Sequence, residues 1–251
     1  MFRFILNSIL SCGIAFAQLS DGRISNEELI RRLRRSPSDM ALIGEVASRG
    51  GPEAVAGLKD AFAAVQRSGN ARTETLLRPS QMIAFELSAL GEHDQVYFDE
   101  LAKYARAAID ANPPDARGTE ENAYRQWCEQ RSLVGEDCSR AVTRYAMDLN
   151  ALGASMDKRA TPIFRRALDL ANPVLVSTAA GRLARLQDAA SLPLIAHACT
   201  RFREKDSNDI GSVASYFDSP EMRLVLDQCV TDASLKEQLA KSWEERHRSK
   251  Q

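Results

Sequence analysis

The residues of this 251-residue chain that can do chemistry are first its five cysteines and three histidines. The histidines are His93, His197 and His247, and no two of them lie at a metal-ligand spacing. His197 and Cys199 are two residues apart on a predicted helix, so they point to different sides. The sequence therefore predicts no metal site, no cofactor and no Cys–His catalytic pair.

A second candidate is the segment Ser155-Met156-Asp157-Lys158, which has the S-x-x-K spacing of a nucleophilic serine beside a lysine. The partner motifs S-D-N and K-T-G are absent, and the segment falls on a predicted turn between helices. No G-x-S-x-G motif and no glycine-rich phosphate loop occurs. The chain is therefore predicted not to be an enzyme.

The compartment depends on the first residues, MFRFILNSILSCGIAFAQLS. Arg3 precedes a short apolar stretch that ends in Ala15-Phe16-Ala17, with small residues at the −3 and −1 positions. We predict a secretory signal peptide over residues 1–17, a mature chain that begins at Gln18, and a periplasmic or secreted location. The apolar stretch is too short to span a bilayer, and no later stretch approaches the necessary ~18 apolar residues.

Two alternatives to this leader remain open. Ile9-Leu10-Ser11-Cys12 resembles a bacterial lipobox, in which Cys12 is lipidated and tethers the protein to a membrane. The other alternative is a retained N-terminal helix. Cleavage after Ala17 removes Cys12, and lipoprotein processing lipidates it. In both cases the same four cysteines remain available for disulfide bonds: Cys128, Cys138, Cys199 and Cys229. An even number in an exported chain permits two disulfide bonds.

Composition limits the class of partner and fold. Removal of residues 1–17 takes away Arg3 and no acid, so the formal charge changes from −1 to −2. A nearly neutral chain has no overall electrostatic attraction to nucleic acid. Ala, Leu and Arg are abundant while aromatic residues are few, which favours helices. Residues 18–251 are long enough for one sizeable core.

Self-similar segments recur along residues 18–251. Each opens with Asp and becomes apolar about four residues later, and these Asp residues are 31 and 30 positions apart: DKRATPIF (157–164), DAASLPLI (188–195) and DSPEMRLV (218–225). A paired apolar motif precedes several of them: Leu87-x-x-Leu90-Gly91, Leu149-x-x-Leu152-Gly153 and Leu183-x-x-Leu186. The pattern predicts helix pairs in which Asp caps the second helix and neighbouring pairs stack their apolar faces.

Both ends of the array have helix signals of their own. Ser25 and Glu28 form a predicted capping box, and Pro37 stops the helix that follows. The basic run RRLRR (31–35) on this helix is interpreted as a solvated face. The last predicted helix, residues 232–247, places Leu235, Leu239 and Trp243 on one side and resembles a capping helix.

The strongest repeat unit is NPVLVSTAAGRLARLQDAASLPLIAHAC (172–199), which resembles the HEAT repeat family, in particular the short HEAT-like repeats of the phycobilisome-lyase type. Weaker similarity covers 39–66, 80–111, 139–171 and 207–229. The resemblance implies an all-α fold, a right-handed α-solenoid of about five HEAT-like helix pairs with capping helices. It implies no catalytic residues, because packing positions define these repeats.

The pattern is interrupted once. Tyr97 and Pro162 align to the same helix position of consecutive repeats, but they are 65 residues apart instead of about 31. The extra residues are expected near 112–138, where Asn112-Pro113-Pro114 breaks the preceding helix. A short helix within 119–131 is predicted to follow. In the ordinary case of a solenoid, insertions form loops on one face and often bind partners.

Tyr124, Trp127 and Arg131 are therefore candidate partner-binding residues. The alternative is that Trp127 plugs the gap beside the longer connection. Cys128 and Cys138 are ten residues apart in the same insertion, where the chain can turn back, so a bond between them is predicted.

For Cys199 and Cys229, the predicted helix register and the predicted compartment lead to different expectations about a disulfide bond. Cys199 and Cys229 each lie eleven residues after the Asp of their repeat, which places them at equivalent positions of consecutive second helices. Stacked helices lie about 8–10 Å apart, whereas bonded cysteines need Cα atoms within about 7 Å. An oxidising compartment favours a bond and the helix register favours two buried thiols, so both alternatives remain open.

These observations predict an exported, non-catalytic scaffold for protein–protein interaction, with an unknown protein partner, no nucleic acid and no transmembrane span. One alternative is a HEAT-like lyase or an enzyme accessory subunit, which needs a polar cluster on the concave face. Another is a lipid-anchored structural protein of the envelope.

Overall fold

A computed structural model of the chain describes residues 24–68, 77–116 and 121–248. These residues form thirteen α-helices and three short 3₁₀ helices, and no strand occurs among them. The predicted all-α class is thereby confirmed. The predicted signal peptide, residues 1–17, and Cys12 lie outside the described residues. Within the described ranges, no helix is long and apolar enough to cross a membrane.

The chain divides into two compact units, Met1–Leu101 and Ala102–Gln251, and the division falls inside one helix. The first unit contains four whole helices and the first part of a fifth: α1 (Asn26–Arg35), α2 (Met40–Arg49), α3 (Gly51–Ser68), α4 (Pro79–Ala89) and α5 (Gln95–Ala111). Helix α2 packs on α1, α3 and α4, and α3 packs on α1 and α4. Phe62 of α3 meets Tyr97 of α5 edge to face, with ring centroids 5.1 Å apart.

The second unit holds the rest of α5 and eight further helices: α6 (Glu121–Gln130), α7 (Glu136–Ala154), α8 (Thr161–Ala167), α9 (Pro173–Arg185), α10 (Leu192–Cys199), α11 (Glu204–Ser212), α12 (Met222–Cys229) and α13 (Ala233–Arg248). Short 3₁₀ helices precede α8 and α10 and follow α11: Lys158–Ala160, Ala189–Ser191 and Val213–Tyr216. The predicted short helix of the insertion corresponds to α6, and the predicted last helix to α13.

Helices of the second unit pack mainly on helices of the preceding and following pair. The first helices α7, α9 and α11 pack in chain order, and the second helices α10 and α12 pack on each other. Helix α9 lies at the centre and buries Leu175, Val176 and Leu183. Within this unit, helices of neighbouring pairs therefore pack against one another.

Helix α1 shows how the local signals work. The Ser25 hydroxyl oxygen accepts a hydrogen bond from the Glu28 backbone N–H at 3.2 Å, as predicted for the cap. The Glu28 carboxylate pairs with Arg31 and Arg32, at 2.8 and 3.0 Å. Arg34 pairs with a carboxylate of α3. The four arginines of the basic run are thus exposed to solvent, as the sequence indicated, and three of them have acidic partners.

The predicted role of the repeated Asp is right at one turn and wrong at the next. The Asp157 carboxylate accepts a hydrogen bond from the Arg159 backbone N–H at 2.8 Å and so caps the turn before α8. Asp188 makes no such cap. Instead it accepts two hydrogen bonds from the Arg165 guanidinium, at 2.8 and 2.6 Å, and so joins consecutive pairs. Asp157 also accepts a hydrogen bond from the Arg159 guanidinium, at 2.8 Å, so what distinguishes Asp188 is that its arginine partner lies on the preceding helix α8.

Candidate functional site

The insertion forms a small core of its own. Tyr124, Trp127 and Cys128 of α6 pack with Ala141 of α7. The Tyr124 and Trp127 rings are stacked, with centroids 5.8 Å apart. Only 9% of Tyr124 and 6% of Trp127 is exposed. The two aromatic candidates therefore fill space inside the second unit and offer little area to a partner.

The polar atoms of these side chains are bonded to the chain itself. The Trp127 indole N–H donates to the Ala111 carbonyl at 2.8 Å, and the Tyr124 hydroxyl donates to the Cys138 carbonyl at 2.5 Å. The Arg131 guanidinium lies 4.6 Å from the centroid of the Trp127 ring and also donates to Ala111, at 3.1 Å. Burial, with a smaller contribution from Tyr145, raises the pKa of Tyr124. This geometry favours the plug for Trp127, while Arg131 is exposed at the edge.

The predicted bond between Cys128 and Cys138 is present, and Cys199 and Cys229 are bonded as well. Cys128 and Cys138 have Cα atoms 5.7 Å apart and close the segment between α6 and α7. Cys199 and Cys229 have Cα atoms 5.6 Å apart, which resolves the alternative in favour of a bond. Because Cα atoms lie about 2.3 Å from the helix axis, a Cα distance of 5.6 Å is compatible with helices packed at the ordinary axial distance of about 8–10 Å.

A glycine makes room for the second bond. A Cβ atom on Gly211 would lie 2.5 Å from the Cys229 Cβ, closer than carbon atoms approach without a clash. Gly211 therefore lets α11 lie against the end of α12 that bears Cys229. Sequence analysis missed this residue, because nothing near Gly211 shows that Cys229 will contact it.

The Cys199–Cys229 bond fixes the relation between two exposed apolar side chains. Leu194 and Leu224 are each the third residue of their helix, α10 and α12, and each is 44% exposed. Each lies five residues before its cysteine. Both side chains therefore leave their helices in the same direction around the helix axis, measured from the cysteine. The equivalent position of α8 is Ile163, which is buried. We call Leu194 and Leu224 the leucine pair.

The S-x-x-K residues serve as part of a turn. Ser155 is buried, and its hydroxyl donates to the Leu152 carbonyl at 2.7 Å and accepts from the Asp157 backbone N–H at 3.3 Å. Lys158 opens the following 3₁₀ helix and is exposed. This arrangement gives the serine a structural role in ending α7. No group of three or more possible metal-ligating side chains was found among the described residues.

A buried arginine is a further feature that the sequence analysis missed. Two guanidinium nitrogens of Arg182 donate to the Asn150 side-chain oxygen, at 3.0 and 2.7 Å. Burial first, and the neighbouring Arg185 second, lower the pKa of Arg182 to about 10. Its side chain occupies the space that a Cβ atom on Gly153 would need. The glycine of the Leu149-x-x-Leu152-Gly153 motif was the available signal, since the absence of a side chain at that position leaves space for a long side chain from a neighbouring helix.

The first unit contains a carboxyl group in an unusual environment. Glu86 lies on α4, and burial raises its pKa from the ordinary 4.5 to about 7. Glu86 directly precedes the apolar pair of its motif, as Asp148 and Arg182 precede theirs. The same position therefore carries an ionisable side chain in three motifs, a periodicity that the sequence displays.

Comparison of the chain with models of protein families, with curated proteins and with solved structures found no match. The similarity to HEAT repeats consequently rests on the sequence pattern quoted above. The solenoid shape and the binding function that it implies remain predictions.

Proposed function

We propose that this protein is an exported HEAT-like α-solenoid that acts as a non-catalytic scaffold for protein–protein interaction in the periplasm or outside the cell. The observation that carries the proposal is the leucine pair, two exposed side chains at equivalent positions of covalently joined helices. Repeat proteins present such equivalent positions side by side as binding surfaces.

The compartment is supported by the two bonded cysteine pairs. Disulfides persist in the periplasm and outside the cell and are rare in the cytosol of most organisms. A bond inside the insertion and a bond between repeats together involve all four cysteines of residues 18–251. The predicted signal peptide supports the same compartment.

The surface is supported by its rigidity as much as by its apolarity. Single exposed leucines are common on protein surfaces and have no meaning by themselves. Leu194 and Leu224 differ because the Cys199–Cys229 bond holds their helices in one register. A rigid surface loses little conformational entropy on binding. The partner we propose is a protein that presents apolar side chains to this surface.

Site-specific photo-crosslinking in the envelope fraction tests the proposal. A photoreactive amino acid replaces Leu194 or Leu224 in turn, and the control replaces Val96, an aliphatic residue of α5 that is 52% exposed. We expect the same discrete adduct from positions 194 and 224, not formed from position 96, and competed away by unmodified protein. Adducts that are identical at all three positions, or absent at 194 and 224, would contradict the proposal.

The insertion is a second proposed contact, in which Arg131, the exposed member of the candidate set Tyr124, Trp127 and Arg131, binds the partner. Trp127→Ala separates the two roles, since a buried aromatic plug costs ~3–5 kcal/mol of stability when removed. An Arg131→Ala variant removes the exposed group and leaves Trp127 in place. Loss of partner affinity in Arg131→Ala with unchanged stability supports binding here. Unchanged affinity in Arg131→Ala, with a large loss of stability in Trp127→Ala, leaves the insertion a structural plug.

A further inference from the structure

Helix α13 is attached to the second unit in an unusual way. None of its side chains is fully buried. Its C-terminal half instead donates hydrogen bonds to backbone carbonyls of the segment 215–218, which comprises the end of the last 3₁₀ helix and the two residues after it. The Trp243 indole N–H donates to the Phe217 carbonyl at 2.7 Å, and the Arg246 guanidinium donates to the Ser215 carbonyl. Polar contacts therefore contribute much of the attachment.

His247 completes this set of contacts. Its Nδ1 atom lies 2.8 Å from the Trp243 carbonyl oxygen, and its Nε2 atom lies 3.2 Å from the Asp218 carbonyl oxygen. The imidazole ring also stacks on the Trp243 ring, with centroids 3.8 Å apart. Each ring nitrogen thus faces an oxygen that can only accept a hydrogen bond.

The charged form of histidine fits this site better than the neutral form. A neutral imidazole carries one N–H, so its other nitrogen would direct a lone pair at a carbonyl oxygen. An imidazolium donates from both nitrogens and satisfies both contacts. A cation is also attracted to the face of the Trp243 ring and to the C-terminal end of a helix.

The surrounding charges act in both directions. The Asp218 carboxylate lies 3.5 Å from the His247 Nε2 atom and favours the cation. Arg246 and Arg248, on the same helix, oppose it. Helix α12, which faces α13, forms two further ion pairs with it. Arg223 pairs with Glu244 at 2.6 Å, and Asp227 pairs with Lys236 at 3.5 Å. Tyr216, on the 3₁₀ helix beneath, lies under the Arg246 guanidinium at 5.6 Å.

We propose that α13 is a proton-sensitive clamp, in which His247 in its protonated form fastens the C-terminal half of the helix to the segment 215–218. Loss of the proton removes one hydrogen bond and the cation–π attraction, so the end of α13 detaches more often. Histidine is the side chain whose charge ordinarily changes between about pH 5 and pH 8. This inference does not depend on the proposed scaffold function.

Hydrogen exchange followed by mass spectrometry tests the clamp in the full-length mature chain. Exchange at pH 5.5 and 7.5 is converted to protection factors, which removes the intrinsic effect of pH on exchange. We expect amides of residues 239–248 to be about three- to tenfold better protected at pH 5.5, as one hydrogen bond allows. His247→Gln should abolish this difference. The matched control, His197→Gln on the exposed face of α10, should retain it.

Equal protection at the two pH values in the unsubstituted protein would overturn the proposal, and so would an unchanged difference in His247→Gln. An NMR titration covers the case in which that variant fails to fold. The indole N–H resonance of Trp243 in the unsubstituted protein should move with a single titration between about pH 5 and pH 8. A resonance that stays in place over this range would also overturn the clamp.

Discussion

Both units are built from packed α-helices, but different features determine their stability. The described part of the first unit contains no cysteine and holds Glu86, a carboxyl whose pKa burial raises to about 7. The second unit contains both disulfide bonds. The stability of the first unit should therefore depend on pH, and that of the second on oxidation. Similar sequence motifs thus occur in two units whose stability depends on different chemical groups.

A buried ionisable residue shows the difference in detail. Arg182 in the second unit is supplied with the Asn150 oxygen and with space beside Gly153. Glu86 lies at the same place in its motif. Its pKa is raised by burial, which disfavours the charged form of the carboxyl group. Both side chains lie at the edge of the core. Whether the charged form is stable there depends on the hydrogen-bond partners that the neighbouring helix provides.

The largest effect is expected from removal of the bond between repeats. Cys199→Ala combined with Cys229→Ala opens a loop of 30 residues. The chain-entropy model gives a loss of about 4 kcal/mol in the free energy of unfolding. Hydrogen exchange should show faster opening in residues 192–229 and unchanged protection in residues 24–68. Equal loosening of both units would erase the proposed difference between them.

Glu86→Gln should act on the first unit and depend on pH. Because the folded pKa of about 7 is above the ordinary 4.5, the native state retains the proton that the unfolded state loses. The resulting stability is present below pH 4.5 and is lost as the pH rises through 7. At pH 8 the substitution should stabilise the protein by up to about 3 kcal/mol, and at pH 4.5 by little.

Urea unfolding at both pH values measures this effect, and Glu53→Gln on the exposed face of α3 is the control. A gain that is the same at both pH values would mean that hydrogen bonding or packing of the new amide, and not charge burial, is responsible.

The shorter disulfide should contribute less. Cys128→Ala combined with Cys138→Ala opens a loop of 10 residues, for which the same model gives about 2.7 kcal/mol. The loss should remain confined to α6 and the start of α7, where the Trp127 fluorescence emission should shift to longer wavelength. A cost above that of the longer bond would show that strain or packing, not loop closure, determines these energies.

The smallest effect compares two glycines, one in each unit. Gly211→Ala places a Cβ atom 2.5 Å from the Cys229 Cβ, whereas a Cβ atom on Gly44 of α2 meets nothing within 4 Å. We expect Gly211→Ala to cost about 2 kcal/mol and Gly44→Ala to stabilise by about 0.5–1 kcal/mol. Thermal unfolding of both variants checks the signs. A neutral Gly211→Ala would mean that α11 is able to move away from α12.

Local patterns predicted those parts of the molecule that local physics determines. The cap at Ser25, the helix α13 and the insertion helix α6 were predicted from nearby residues. The Cys128–Cys138 bond was predicted because ten residues of irregular chain can return on themselves. Contacts between distant residues were not predictable in this way.

The Cys199–Cys229 bond remained undecided because its geometry depends on Gly211, which lies in a third helix. Arg182 and Asn150 are 32 residues apart, and no local pattern pairs them. The role of Trp127 stayed open because its burial depends on how the insertion folds back onto α7.

Peptide mapping without reduction tests the central claim, that equivalent positions of consecutive repeats are covalently joined. The mature protein is alkylated, digested under non-reducing conditions and analysed by mass spectrometry. The account predicts two linked peptide pairs, one containing Cys128 and Cys138 and the other containing Cys199 and Cys229. A linkage of Cys128 to Cys199 or of Cys138 to Cys229, or alkylated Cys199 and Cys229, would contradict it.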